Sequence, residues 1–130
     1  MKTHAKLKKE LDTVFSQYIR WSNADANGNV ECYTCGIKKP VKQMQNGHFQ
    51  SRRHTSTRWH LQNCKPQCVA CNMYRQGEQY KFGNKLVSEY GQEAIDELII
   101  LSKSSVKYSR VELAELIQEY KAKLQELIDY

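Results

Sequence analysis

At 130 residues, 40% of them hydrophobic and with a net charge of +6, the sequence fits one domain with a modest core that a metal would help to hold. No run of about 18 apolar residues occurs, and the opening MKTHAKLKKELDTVF carries charges where a secretory leader needs an apolar stretch, so a soluble, cytoplasmic chain with no membrane partner is expected. The charge is segregated: between Gly36 and Lys85 ten basic residues face one acid, Glu78, whereas from Leu86 onward five basic residues face nine acids. A polyanion such as nucleic acid belongs on the basic middle.

In chain order, Leu7, Leu11, Val14, Phe15, Tyr18 and Ile19 recur at steps of three and four, which predicts an amphipathic helix from about His4 to Trp21. The turn formers of NADANGN end it. From Val30 to about Gln50 an imperfect alternation around CYTCG predicts a hairpin with a cysteine knuckle. QSRRHTSTRWHLQN has no clean period and reads as an exposed loop, and a helix is expected near the second cysteine pair. NKLVSEYG and GQEAIDELIILSK read as helices meeting at Gly91, a residue suited to a left-handed helix end. Ser109 and Glu112 have capping-box spacing and open a last helix with an apolar stripe of Leu113, Leu116, Ile117, Tyr120, Leu124, Leu127 and Ile128. That stripe packs either on the chain's own helices, the favoured reading, or on a second copy. The segmentation is an N-terminal helix (1–22), a zinc-pinned core (30–83) and a helical extension (84–130) within an α+β domain.

Five cysteines in a reducing compartment favour metal binding over disulfides. Cys32 and Cys35 form one CxxC and Cys68 and Cys71 another; two such pairs make a closed tetrahedral zinc site, which holds a fold and leaves no open position for catalysis. Cys64 is then a fifth, packed thiol.

The residues between the pairs add NGHF with His48, then Asn63 five residues before Cys68, and Asn72 directly after Cys71. On these the chain resembles the HNH nucleases, with their zinc-pinned ββα-metal core. It is most similar to phage recombination nucleases of the NinG/Rap type, through WSNADANGNVECYTCG, NGHFQSRRHTSTRWHLQN, QCVACN and the tail YSRVELAELIQEYKAKLQEL. The resemblance implies metal-dependent cleavage of DNA, in particular of branched recombination intermediates such as Holliday junctions and D-loops, by a phage or prophage protein. It implies His48 as general base or ligand, Asn72 as ligand of a catalytic Mg²⁺ or Mn²⁺, and Asn63 as a residue that orients His48 or braces the loop.

One departure stands out: where many such enzymes carry an aspartate before the histidine, this chain has Gly47, leaving the site short of a charged ligand that His54, His60 or backbone and water oxygens would have to replace. Arg52, Arg53, Arg58, Lys65 and Arg75 are the expected phosphate contacts, and Trp59, Tyr74 and Tyr80 either stack on splayed bases or, the favoured reading, pack. Paired cutting of a junction predicts a homodimer through the last helix. The alternatives are a zinc-ribbon module that binds nucleic acid without cutting it, and an RNA- or ribosome-associated zinc protein.

Overall fold

A computed structural model describes residues 2–128. Helix α1 (His4–Ser22) starts at Thr3, whose hydroxyl accepts from the Lys6 backbone N–H, and it buries Leu7, Leu11, Val14, Phe15 and Ile19 on one face. Next come two short strands, β1 (Asn29–Glu31) and β2 (Lys38–Pro40), paired antiparallel around the Cys32–Gly36 turn. Strand β3 (Met44–His48) follows a single 3₁₀ turn, then come the short helix α2 (Thr55–Arg58) and strand β4 (Cys64–Cys68). A five-residue π-helical turn spans Ala70–Tyr74, and three helices complete the chain: α3 (Gln79–Tyr90), α4 (Gln92–Ser102) and α5 (Arg110–Ile128).

The single hairpin expected over 30–50 is in fact two separate ladders. β3 pairs not with its neighbour but with β4, in the register Met44↔Cys68 to His48↔Cys64. Local alternation marks strands without naming partners, and here a partner some twenty residues downstream wins because it carries the second cysteine pair against the first. QSRRHTSTRWHLQN is not an open loop throughout: it contains α2, and Ser56, Thr57, Trp59 and Asn63 are buried.

Gly91 does join α3 to α4, but with φ 94 and ψ 154 it takes an extended positive-φ conformation open essentially only to glycine, not the left-handed helical one. The capping box forms as spaced: the Ser109 N–H donates to Glu112 Oε1 (3.1 Å) and the Glu112 N–H to Ser109 Oγ (3.0 Å).

Three small cores result. In the largest, Leu113, Ile117 and Tyr120 of α5 pack on α1, with Phe15 and Tyr120 edge to face at 4.9 Å. The stripe of α5 is therefore covered from within the chain along most of its length, and only Leu127 and Ile128 at its end are exposed. A second core of Val30, Val41 and Met44 surrounds the cysteines, and a third joins Phe82 and Leu86 to Ile95 and Leu98. No helix among the described residues is long and apolar enough to cross a membrane.

Candidate functional site

The turn after β1 and the turn after β4 bring Cys32, Cys35, Cys68 and Cys71 together with their sulfur atoms all within 4.8 Å of one another. Cys35 Sγ and Cys68 Sγ are 3.7 Å apart, close to the roughly 3.8 Å expected of two thiolates sharing one tetrahedral zinc at about 2.3 Å. The thiols differ in acidity. Burial opposes ionisation of Cys32, yet the Thr34 hydroxyl and nearby backbone N–H groups outweigh it and bring that thiol down to about 6. Burial, with neighbouring thiols adding to it, pushes Cys35 up to about 12. Arg75 Nη1 donates to Cys71 Sγ at 3.6 Å, a cation placed beside the sulfur cluster. These four residues can hold a zinc ion. Cys64 lies outside the cage, buried among Trp59 and the α1–α5 core.

Beside the cage runs a polar cleft with two lobes of about 620 and 550 Å³, and Asn46, His48, Arg52 and Asn72 line both. His48 reaches it from the end of β3. Its Nε2 lies 3.0 Å from the Arg58 carbonyl, which can only accept, so Nε2 carries the proton and Nδ1 keeps its lone pair. Burial holds His48 below the ordinary imidazole value; the Arg58 carbonyl and Asp12 act in the opposite sense, and Arg52 and Arg58 add to the lowering. Asn72 sits in the π-helical turn just past Cys71, and its Nδ2 donates to Gln45 Oε1 at 2.7 Å. That bond fixes the amide by its nitrogen and keeps Oδ1, the atom a hard cation takes, available. Beyond it Gln76 and Glu78 adopt left-handed backbone (φ 53 and 49), a strained turn at the rim of the cleft.

Asn63 is fully buried and does not face the cleft. Its Oδ1 accepts from the Gln50 N–H (2.6 Å) and its Nδ2 donates to the Gln50 and Thr57 carbonyls (both 3.0 Å), so it closes the base of the β3–β4 loop. His54 lines one lobe of the cleft, while His60 Nδ1 accepts from the Gln62 N–H.

The arrangement around His48 leaves no room for a side chain at 47. A Cβ at Gly47 would lie 2.0 Å from Gln67 Oε1 and 2.6 Å from Gln67 Cδ. Gln67 is fully buried, with Nε2 donating to the Gly77 carbonyl (2.8 Å) and to Thr34 Oγ1 (3.1 Å), so it has nowhere to go.

The expected phosphate contacts divide. Arg52 lines the cleft and Arg53 is exposed next to it. Arg58 is instead paired with Asp12, Lys65 lies against Tyr33, Tyr90 and Glu89 with its side chain only 11% exposed, and Arg75 points at the cage. Trp59 packs as expected, but Tyr74 and Tyr80 are 81% and 84% exposed and flank the cleft residues Asn72 and Gln79 in the chain.

Three participants escape sequence reasoning. Asn46 had a usable signal, standing two residues before His48 on the same face of a strand. Gln67 and Asp12 had none, because what matters about each is a contact across the fold.

The family described as the bacteriophage lambda NinG protein matches residues 1–129. The NinG protein of Escherichia phage lambda is 28% identical over 120 residues, which is 92% of this chain and 56% of the relative. The NinG protein of Escherichia phage 933W is 28% identical over 91 residues, 69% of this chain and 43% of that one. The chain thus spans about half the length of these relatives. No solved structure matches it.

Proposed function

From the premise that the chain belongs to the NinG family, and from the geometry of its cleft, we propose that it is an HNH-like, metal-dependent endonuclease that cuts branched DNA. One observation carries the reading: a histidine with its Nε2 proton tied to a carbonyl and an asparagine with its amide fixed by the nitrogen line the same cleft, next to a cage that can hold zinc.

His48 Nδ1 takes a proton from a water molecule, whose oxygen attacks phosphorus as the bond to the leaving oxygen breaks. Asn72 Oδ1 would hold a hard dication, Mg²⁺ or Mn²⁺, which would neutralise charge at the phosphate. Arg52 and Arg53 are placed to meet phosphates. The exposed rings of Tyr74 and Tyr80 are open to unstacked bases, which branch points provide and uninterrupted duplex does not. With most of the α5 stripe covered by α1, a homodimer able to make paired cuts would have only the uncovered end of that stripe, Leu127 and Ile128, to meet through, or a different surface.

The alternative, a zinc module that binds nucleic acid without cutting, is favoured by Gly47, which leaves β3 without an acidic ligand. Supercoiled plasmid decides between them. Nicking that requires Mg²⁺ or Mn²⁺ and vanishes in His48→Ala supports the nuclease, and binding without nicking supports the module.

A further inference from the structure

We propose that Asp12, on α1 and far in sequence from the strands of the cleft, is a positioning residue that sets His48 through Arg58. The inference rests on the nuclease reading for its consequence in rate, though not for its geometry. The Asp12 carboxylate grips two successive residues at the end of α2: Oδ1 accepts from Arg58 Nε (2.9 Å) and from Trp59 Nε1 (3.0 Å), and Oδ2 accepts from Arg58 Nη2. The backbone carbonyl of that same Arg58 receives the His48 Nε2 proton at 3.0 Å and the Cys64 thiol at 3.5 Å. One carboxylate thus holds the residue whose carbonyl decides which way the imidazole stands and which nitrogen is left bare.

A four-residue helix cannot fix that carbonyl alone. Its start is tied elsewhere, by Ser56 Oγ donating to the Leu101 carbonyl (2.6 Å) and by Asn63 on the Thr57 carbonyl, and Asp12 supplies the tie at its end. Asp12 also lines the lobe of the cleft that holds His48 and Asn72, which would suit a metal ligand. Its oxygens already accept three hydrogen bonds from a fork and an indole, with only 21% of the side chain exposed, so orienting is the role its contacts serve.

The test uses the intact zinc-loaded chain and two variants, Asp12→Asn and the double variant Asp12→Asn with Arg58→Met, which leaves no stranded cation. Two readouts are needed. Long-range ¹H–¹⁵N spectra of the imidazoles report which His48 nitrogen carries the proton, and junction cleavage reports kcat and KM. A misplaced base costs on the order of 10- to 100-fold in kcat. The expected result is that loss at little changed KM, with His48 losing its uniform Nε2–H form, in both variants and with zinc retained. If Asp12 only stabilises the fold, the double variant regains wild-type kcat together with its melting temperature. That outcome, or an unchanged His48 spectrum in Asp12→Asn, overturns the proposal. Failure of the wild type to cut any DNA would defeat the nuclease reading instead, and the His48 spectrum would still decide the role of Asp12.

Discussion

Gly47 and Gln67 meet so closely that a side chain at 47 has no room while Gln67 keeps its place. An added Cβ would enter the space of a buried amide whose nitrogen is already hydrogen-bonded twice, and overpacking of this kind costs about 1–3 kcal/mol. Gly47→Asp, the change that restores the acid common among HNH-like enzymes, is therefore expected to lower stability by at least that much and not to improve cleavage. Thermal melts beside plasmid nicking check it, and a Gly47→Asp variant as stable as the wild type would show that Gln67 yields. His48 gives a second residue-scale expectation, in pH. Because burial lowers its pKa below the ordinary 6.5, protonation is disfavoured in the folded chain, so its contribution to stability is present above 6.5 and lost as pH falls through the lower folded value. The neutral base is likewise kept below 6.5, and the acid limb of kcat/KM should lie under that value; a limb above it would contradict the burial seen here. At this scale the sequence disclosed the groups by type, the thiols, His48 and Asn72, but not the contacts that tune them. Asp12 looks like one more polar residue on an amphipathic helix until Arg58 is folded against it.

Among the elements, the helices with a strong apolar period were legible and the strands were not. A helix satisfies its own backbone and so announces itself within one window, whereas β3 needed β4, and no local pattern names that partner. The π-helical turn at Ala70–Tyr74 was also hidden, since a single wide turn leaves no periodic trace. Ladders of three and five residue pairs are too short to stand alone, which makes the cysteine cage their support. Cys35→Ser and Cys68→Ser should each abolish stoichiometric zinc and unfold the segment from β1 to the π-helical turn, because ligand loss removes folding free energy directly. Cys64→Ala should keep its zinc and lose only packing. Elemental analysis with far-ultraviolet circular dichroism separates these outcomes. A folded, zinc-free wild type would contradict the assigned support.

Across the whole molecule, the basic middle and acidic end seen in the sequence fall on different parts of the fold. The cleft opens among Arg52, His48 and Asn72, while α5, with its acids, lies along α1. Three of the five cations expected at DNA are held by Asp12, Glu89 or the cage, which leaves Arg52 and Arg53 of that set for the proposed contact with phosphates. Phosphate contact of that kind carries no information about base sequence. The proposed preference for branches would draw on the exposed Tyr74 and Tyr80, and replacing both with alanine should weaken junction binding by about 1–3 kcal/mol per base stacked while affecting duplex far less. Whether the His48–Asn72 cleft hydrolyses phosphodiesters, as proposed, can be read from a single comparison. A labelled four-way junction and a linear duplex of the same sequence are incubated with the wild type, His48→Ala and Asn72→Ala across a Mg²⁺ and Mn²⁺ titration. The wild type is expected to cut the junction in a metal-dependent way, His48→Ala to cut nothing despite near-normal binding, and Asn72→Ala to need higher metal concentration. Wild-type cutting by His48→Ala, or binding without cutting at any metal concentration, would contradict the proposal.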